Sequence, residues 1–239
     1  MTYQIPPGVR AALFDIDGTL TSGGDVWEPL RKSPDVPSLR RAWLYVAAMP
    51  HYGLSKAGIV SQAGFRDRWV RWMAWLTTGW RYDQVQAICS RIVRDRLMPV
   101  LRPGVVEILN QHKAASHPVI LVSTMFESIV HDLAEQVGAD AGLGSELEIH
   151  DEVCTGRIVG ETCSGVRKLD FAGRYLRQHF PDLSLEVCTA FADSTSDIAF
   201  LSGVGHPVAV YPDAAMRAAA SERGWPIFEG RQAVRVALD

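Results

Sequence analysis

Two aspartates separated by one residue follow the first apolar run of the chain. Residues 11–14 read Ala-Ala-Leu-Phe, and Asp15, Asp17 and Gly18 lie just after them. Apolar residues that lead straight into carboxylates are typical of a buried parallel strand, whose carboxyl end lies at the sheet edge where ligands bind. Side chains two residues apart leave a strand on the same face, so the two carboxylates should repel each other. The pair predicts a cation beside it, and Mg²⁺ suits oxygen ligands.

The same pair of aspartates could carry phosphoryl chemistry. Asp15 is a candidate nucleophile, because a carboxylate can attack phosphorus and form an aspartyl-phosphate. Asp17 is then a candidate general acid and base, for the leaving oxygen and for the hydrolytic water. Gly18 would let backbone N–H groups approach phosphate oxygens closely. The plain alternative is a turn at a strand end, since Asp and Gly both favour turns.

Three further apolar runs end in polar residues. They cover residues 118–122 before Ser123 and Thr124, residues 185–192 before Asp193, and residues 206–210 near Asp213. A helical pattern follows each run, and strands that alternate with helices predict βαβ units in a mostly parallel sheet. The polar strand ends should then meet at one edge. Two short runs around residues 147–153 and 157–159 predict a separate hairpin.

Ser123, Thr124 and Lys168 are candidate phosphate ligands. Ser123 and Thr124 either cap the helix that follows or add a phosphate oxygen to its N-terminus, and the two roles are compatible. Lys168 lies at the apparent start of a later helix, where a cation opposes the helix dipole. A solvated surface lysine is the common explanation, but a lysine aimed at the sheet edge would neutralise phosphate and aspartates. Arg167 is the rival for that role.

Asp193 and Asp197 are candidates to complete a metal site. Asp193 ends its strand as Asp15 does, so it should reach the same edge. Asp197 would hold Asp193 or a metal-bound water in place. The alternative for Asp197 is a capping box with Ser194, because the spacing of the two residues fits one.

Residues 22–101 have a different pattern from the rest of the chain. They contain no strand-like run and are rich in Trp and Arg, which predicts a helical insertion after the first strand. Trp69, Trp72, Met73 and Leu76 share one helical face. An aromatic stripe of this kind is most often packing, and the alternatives are substrate enclosure and an interfacial membrane helix. We expect packing with partial substrate enclosure.

Composition excludes several classes of protein. The chain has 239 residues and a formal charge of −3, which argues against a nucleic-acid binder. No apolar run approaches the ~20 residues of a membrane span, and residues 1–10 do not resemble a secretory signal. The four cysteines form no CxxC pair, so we expect reduced thiols and a cytoplasmic location. The spacing of Cys154 and Cys163 matches no common zinc pattern. No role is assigned to the histidines.

Four short motifs of this chain together resemble the motifs of the haloacid dehalogenase superfamily. The resemblance is to its subfamily IB hydrolases in particular, which look like phosphoserine phosphatase. The resemblance covers nearly the whole chain. Its motifs match, in order, Asp15-Ile16-Asp17-Gly18-Thr19, then Ser123, then Lys168 after Gly165, then Asp193 and Asp197. Family dehalogenases lack the second aspartate of the first motif, so Asp17 favours phosphoryl chemistry over cleavage of a carbon–halogen bond.

The resemblance implies an α/β fold, a Rossmann-like core with a mostly parallel sheet and an inserted helical cap. The core domain would be residues 1–21 and 102–239, and the cap domain residues 22–101. The implied roles are Asp15 as nucleophile and Mg²⁺ ligand, Asp17 as acid/base and backbone Mg²⁺ ligand, Asp193 as the remaining protein ligand, Lys168, Ser123, Thr124 and Gly18 at the phosphate, and Asp197 and Thr19 in support.

The chain also departs from the phosphoserine phosphatase pattern. The second motif reads Ser123-Thr124-Met125 instead of Ser-Gly-Gly, and the position of the cap glutamate falls near Gly24. Asp25 and Glu28 lie nearby and are, with Trp69 and Trp72, our candidates for substrate specificity. The departures argue against phosphoserine as the substrate.

We therefore expect a Mg²⁺-dependent phosphatase that acts on a small phosphomonoester through an aspartyl-phosphate. A phosphotransferase would use the same residues, so it stays open. A binding module that kept the fold without catalysis is the alternative from another class, and the intact Asp15, Asp17, Lys168 and Asp193 argue against it.

Overall fold

A six-stranded parallel sheet forms the centre of this computed structural model, which describes residues 3–56 and 59–230. In chain order the strands are β1 (Ala11–Phe14), β2 (Val119–Phe126), β3 (Ala141–Ser145), β4 (Leu147–His150), β5 (Val153–Ile158), β6 (Cys188–Ala192), β7 (His206–Val210) and β8 (Ile227–Phe228). The sheet runs β3-β2-β1-β6-β7-β8, and all its neighbouring pairs are parallel. The strand order reverses beside β1, so the carboxyl ends of β1, β2 and β6 border the crevice where open sheets bind ligands.

Nine α-helices are formed by the described residues. They are α1 (Glu28–Arg31), α2 (Ser38–Lys56), α3 (Gln62–Leu76), α4 (Tyr82–Ile92), α5 (Pro103–Ala114), α6 (Glu127–Val137), α7 (Arg167–His179), α8 (Ile198–Ser202) and α9 (Ala214–Arg223). A π-helical segment, Val93–Leu97, continues α4. None of these helices combines the length and the apolar character that a crossing of a membrane requires.

Alternate residues of β1 enter two hydrophobic cores, one on each face of the sheet. Ala12 and Phe14 pack with buried residues of α5 and α6, whereas Ala11 and Leu13 pack with buried residues of α7, α8 and α9. A strand covered on both faces needs an apolar side chain at every position, because successive side chains point to opposite faces. The predicted α/β fold with a parallel sheet is therefore confirmed.

The segment from residue 22 to residue 101 is helical, as predicted. Its described residues form α1 to α4 and contribute no strand to either sheet. Leu44 of α2, Met73 of α3 and Val85 of α4 are buried in the same core as Phe14, so the insertion packs onto the sheet through a shared core. The division of the chain into a core domain and a cap domain stays a prediction.

A hairpin of β4 and β5 leaves the main sheet and pairs with the insertion. The amide of Gly79 donates to the Cys154 carbonyl at 2.9 Å, and the amide of Tyr82 donates to the Glu152 carbonyl at 2.8 Å. The hairpin was predicted, but its second strand begins at Val153 and not near residue 157. The chain turns earlier because Asp151 and Glu152 adopt positive φ angles of 49° and 63°.

The strand β2 continues beyond the point where the sequence predicts its end. Ser123 and Thr124 lie inside β2, and α6 begins only at Glu127, whose preceding residue Phe126 caps it without a side-chain hydrogen bond. The capping role considered for Ser123 and Thr124 is therefore wrong. The predicted end of α6 at Gly138 is confirmed, since Gly138 has the left-handed backbone that terminates many helices.

Candidate active site

Four predicted residues meet at the carboxyl edge of the sheet. Asp15 follows β1 directly, and its amide donates to the Phe191 carbonyl of β6 at 3.0 Å. Asp193 follows β6, Ser123 lies near the end of β2, and Lys168 reaches the edge from the first turn of α7. Side chains from four different parts of the sequence are thus brought together because parallel strands all end on one side.

Lys168 forms the buried centre of the site. Its Nζ lies 2.6 Å from Asp15 Oδ1 and 2.6 Å from Asp197 Oδ1. Burial alone would lower the pKa of Lys168, but Asp15 and Asp197 outweigh it and hold that pKa above its ordinary value. Arg167, the rival candidate, points elsewhere, since its NH2 lies 2.9 Å from Asp67 Oδ1 on α3. Lys168 is therefore the residue that faces the aspartates.

Asp193 packs tightly against the loop after β1. A Cβ placed on Gly18 would lie 2.1 Å from Asp193 Oδ2, and Gly18 has a φ of 90°, so both space and backbone require glycine there. Thr19 Oγ1 lies 3.1 Å from Asp15 Oδ2 and 3.3 Å from Asp193 Oδ1, within donating distance of both carboxylates. Thr19 thus holds the two carboxylates in a fixed relation.

Three carboxylates form the group of possible metal ligands in the described part of the chain. Oxygens of Asp15, Asp193 and Asp197 all lie within 4.8 Å of one another. The predicted ligands were Asp15, Asp193 and the backbone of Asp17, and the backbone contribution of Asp17 stays a prediction because this group contains side-chain oxygens alone. Asp197 is already engaged, because Ser194 Oγ donates to its Oδ2 at 2.9 Å and Lys168 pairs with its Oδ1. Lys168 also pairs with Asp15 Oδ1, so Asp193 is the carboxylate of the three that Lys168 does not neutralise.

The contacts of Asp197 differ from both roles that the sequence predicts for it. Ser194 donates to the Asp197 carboxylate, and the Ser194 side chain caps no backbone amide of the short turn Thr195–Asp197. The capping-box interpretation is therefore wrong. The Asp197 carboxylate anchors Lys168, a role that the sequence did not predict, and its support of Asp193 or of a metal-bound water stays a prediction. Burial would raise the pKa of Asp197, but Lys168 and Arg66 outweigh it and hold that pKa below its usual value.

The charges of the site do not balance without an added cation. Four carboxylates, those of Asp15, Asp17, Asp193 and Asp197, are grouped around two cationic side chains, Lys168 and Arg66. Burial, with the Asp15 charge as the next cause, raises the pKa of Asp193 to about 8. Burial likewise raises the pKa of Asp15 and of Asp17. Because oxygen donors and a deficit of two positive charges meet here, the residues present fit Mg²⁺.

A cavity of about 290 Å³ opens above the aspartates, between the sheet edge and the insertion. Asp15, Asp17 and Ser123 line it from the sheet side, and Phe65 and Trp69 of α3 line it from the insertion. Thr124, Met125, Gly24, Asp25, Val26, Trp27, Arg66 and Val70 complete the lining. A phosphate monoester that entered this cavity would therefore meet both aspartates of the first motif.

The candidate specificity residues separate into two groups. Trp69 and Asp25 line the cavity, whereas Glu28 and Trp72 do not. Glu28 pairs with Lys32 and Arg96, and Asp25 pairs with Arg31. Trp72 packs edge-on against His51, with ring centroids 5.3 Å apart, so packing explains it.

Arg66 is a member of the site that sequence reasoning missed. It extends from α3 into the cavity lining, and its NH1 lies 3.7 Å from Asp197 Oδ2. Burial would lower the pKa of Arg66, but the neighbouring aspartates outweigh it and hold that pKa above its usual value. A signal existed, because Arg66 shares one helical face with Trp69 and Met73, three and seven residues later. A charge on an inward apolar stripe needs a partner, and here the partners are the catalytic candidates.

Comparison with known proteins places this arrangement in a family. The profile of the haloacid dehalogenase-like hydrolases matches residues 12–202. A Streptomyces azureus protein, named inhibition of morphological differentiation protein, is 30% identical over 170 residues, 71% of this chain and 61% of that protein. A phosphoserine phosphatase of Mycobacterium tuberculosis is 35% identical over 152 residues, 64% of this chain and 47% of that protein. The chain spans about half the length of several curated relatives that it matches.

Solved structures share the fold. A Bordetella pertussis protein of unknown function has a TM-score of 0.77 at 23% identity, with 92% of this chain and 98% of that chain covered. A substrate-bound phosphoserine phosphatase complex has a TM-score of 0.60 at 20% identity, with 94% of each chain covered.

Proposed function

The chain belongs to the haloacid dehalogenase-like hydrolases, and we propose that it is a Mg²⁺-dependent phosphatase acting on a small phosphomonoester. The observation that carries the proposal is the cavity whose sheet side presents Asp15 and Asp17 together, with Lys168 bonded to Asp15 behind them. This arrangement supplies a nucleophile, an acid/base group and a fixed positive charge at one point. Phosphoryl transfer depends mainly on such positioning and charge.

In the first step, Asp15 attacks phosphorus and the bond from phosphorus to the leaving oxygen breaks. Asp17 gives its proton to that oxygen, and the product alcohol leaves. The raised pKa of Asp17, caused first by burial, favours the protonated form that this step needs. In the second step, Asp17 takes a proton from water, the water attacks the phosphorus of the aspartyl-phosphate, and Asp15 is released together with inorganic phosphate.

The remaining residues hold the phosphate and its charge. Lys168 favours the ionised form of Asp15 against the effect of burial and orients the carboxylate through a 2.6 Å hydrogen bond. Ser123, Thr124 and the backbone N–H groups beside Gly18 bind the phosphate oxygens. Asp15 and Asp193 would hold Mg²⁺, with Asp17 contributing its backbone carbonyl. Bound by these residues, Mg²⁺ would offset the charge of the phosphate, which favours the approach of the anionic Asp15.

The walls of the cavity suggest the kind of alcohol that leaves. Trp27, Phe65 and Trp69 present aromatic surface, and Asp25 is the acidic residue of that wall. We propose that the leaving group is flat or apolar and carries a positive charge or a hydrogen-bond donor toward Asp25. Phosphorylated amino alcohols with a ring fit this description better than phosphoserine does. The four cysteines are free and buried, which is consistent with the cytoplasmic location that we expect.

Hydrolysis of an aryl phosphate with Mg²⁺ tests the proposal. Turnover should be lost in Asp15→Asn and in the wild type with excess chelator, and it should be unchanged in Asp170→Asn, the same chemical change at an exposed position of α7. Robust turnover by Asp15→Asn would overturn the mechanism.

Two further measurements address the alternatives. Product analysis in the presence of candidate alcohols separates hydrolysis, which yields free phosphate alone, from transfer, which yields a new phosphate ester. Equal binding of a phosphate analogue by wild type and Asp193→Ala, with no turnover in either protein, would favour a module that binds without catalysis. A panel with phosphoserine, ring-bearing amino-alcohol phosphates and sugar phosphates would identify the substrate class.

A further inference from the structure

The helix α2 carries an apolar face that no described part of the chain covers. Leu39 is 86% exposed, Val46 is 73% exposed and Met49 is 66% exposed, and half of Trp43 is accessible. These residues recur at the spacing of one helical face. We call this set of four residues the α2 face. Single exposed apolar residues are ordinary, but a contiguous set on one helix marks an interaction surface.

The helix is apolar on both of its sides. Leu44 and Ala48 point into the protein and are buried. The outward side also includes Ala42, Pro50 and Gly53, and from Leu39 to Gly53 it carries no charged residue. The arginines of α2 turn away from that side, since Arg40 NH1 donates to the Thr78 carbonyl at 3.1 Å and Arg41 NH2 to the Ser33 carbonyl at 2.7 Å. An apolar stripe on the outward side of a helix is normally covered by a partner surface.

The charge of the chain is divided unevenly between the insertion and the rest. Residues 22–101 contain twelve Lys and Arg and six Asp and Glu, a formal charge of +6; since the whole chain carries −3, the other residues carry −9. The helical pair from residue 38 to residue 76 is the most one-sided part, with six basic residues and one acidic residue. The uncovered face therefore lies in the basic part of an acidic protein.

Basic and aromatic side chains border the α2 face. Trp43 lines a second cavity, of about 510 Å³, together with Arg68 and Arg71 of α3, Asp67 and two further tryptophans, Trp72 and Trp75. Arg68 is exposed and forms no ion pair with any residue that the structure describes. Trp43 thus joins an apolar surface to a basic one, which is the order of groups found at a lipid headgroup boundary.

We propose that the α2 face docks on the surface of an anionic lipid bilayer. Charge favours this occupant over a second copy of the chain, because two insertions of +6 would repel each other when their α2 faces meet. An anionic surface attracts the insertion and repels the acidic remainder, which orients the protein with α2 toward the lipid. Leu39, Val46 and Met49 then enter the acyl boundary, Trp43 lies at headgroup depth, and Arg68 contacts lipid phosphates.

Sedimentation of the full chain with vesicles tests the proposal without any measurement of activity. The protein should pellet with phosphatidylcholine vesicles that contain phosphatidylglycerol, less with phosphatidylcholine alone, and less as salt is raised. The double variant Leu39→Ser/Val46→Ser should bind roughly tenfold more weakly or worse, because it loses two apolar groups at the lipid boundary. Both side chains are largely exposed, so the variant should keep its melting temperature.

Matched controls lie on the hairpin and just after it, outside the α2 face. Ile149→Ser and Val159→Ser remove exposed apolar side chains there and should bind vesicles as the wild type does. Arg68→Gln should weaken binding to anionic vesicles, whereas Arg157→Gln, an equal charge change at an exposed position of β5, should not. Absence of vesicle binding, or binding that the α2 variants leave unchanged, would overturn the proposal. A wild-type dimer that Leu39→Ser/Val46→Ser makes monomeric, with no lipid binding, would also overturn it and assign the face to a second copy.

Discussion

At the scale of single residues, Arg66 connects the insertion to the chemistry. It lies in the cavity lining beside the aspartates, where a third cation can bind a phosphate oxygen. Arg66→Gln should lower kcat/KM by about 10- to 100-fold, the usual value of a charge-assisted hydrogen bond. Arg66→Lys should restore part of the loss, because it keeps the charge but not the planar fork. Steady-state kinetics check this, with Arg68→Gln as the control on the same helix, and equal loss in both variants would contradict it.

Gly18 gives a second prediction at this scale. Gly18→Ala should cost about 1–3 kcal/mol from its positive φ and should also displace Asp193, so that activity and Mg²⁺ binding fall together. Gly8 is a matched control, since its φ is +85° and no atom lies within 4 Å of an added Cβ. Gly8→Ala should show the loss of stability and keep its activity. Thermal melts with activity measurements distinguish the two, and full activity in Gly18→Ala would contradict the prediction.

The sequence was sufficient to predict the site residues at strand ends. It was not sufficient for site residues on helices, where the direction of the side chain decides. Asp15 and Asp193 follow apolar runs, so the sequence alone places them at one edge. Lys168 and Arg167 are adjacent in sequence, and only the structure shows that Lys168 points inward. Arg66 was overlooked because its helix was interpreted through its tryptophans. The direction of a side chain on a helix depends on what the helix packs against, which local sequence does not contain.

At the scale of elements, α3 is the wall of the cavity. Trp69 lines the cavity, while Trp72 packs against His51 outside it. Trp69→Leu should raise KM for the natural substrate several-fold with a smaller change in kcat, because it removes aromatic surface from the leaving-group wall. Trp72→Leu is the control on the same helix, and it should affect stability more than KM. A larger rise in KM for Trp72→Leu than for Trp69→Leu would contradict this orientation of α3.

The helix α5 contains a pH-sensitive contact. His112 is buried, with Nε2 3.3 Å from the Tyr3 hydroxyl and Nδ1 3.1 Å from His117 Nδ1. Burial, and then the neighbouring His117, lowers the pKa of His112 to about 4. The unfolded chain therefore binds more protons than the folded one between about pH 6.5 and pH 4. The free energy of unfolding should fall as pH decreases through that window, by about 1 to 2 kcal/mol near pH 5.

Denaturant titrations of His112→Gln check this expectation. The variant should show a smaller loss of stability between neutral pH and about pH 5, because the unfolded chain then has one less histidine to protonate. His150→Gln makes the same substitution at an exposed histidine of the hairpin and is the matched control. An unchanged pH dependence in His112→Gln would contradict the assignment.

The boundaries of elements were harder to predict than their types. The sequence predicts that β2 ends at Ser123 and Thr124, but the strand continues to Phe126, where Met125 and Phe126 are also buried. The hairpin was predicted, yet its pairing with residues 79–82 was not, since a contact between parts of the chain about seventy residues apart leaves no local pattern. The parallel sheet was predictable because apolar runs that end in polar residues and lead into a helical pattern recur along the chain.

At the scale of the whole molecule, the unbalanced charge of the site makes folding depend on the cation. A ligand that binds the folded chain and not the unfolded one raises stability by mass action. Mg²⁺ at about a hundred times its dissociation constant should therefore stabilise the wild type by about 2.7 kcal/mol. Calorimetry should show this as a higher melting temperature that Asp193→Asn abolishes and Asp170→Asn keeps. An equal shift in Asp193→Asn would contradict the site.

The hairpin of β4 and β5 is hydrogen-bonded to the insertion and covalently continuous with β3. Access to the cavity by movement of α3 must then either carry the hairpin along or break the main-chain bonds between residues 79–82 and 152–154. The Asp67–Arg167 ion pair adds a side-chain tie between α3 and α7. Opening of the cavity by α3 would, on this geometry, be a concerted displacement of two segments distant in sequence. Amides of Gly79 and Cys154 should accordingly exchange with solvent deuterium at the same rate, and substrate should slow both together.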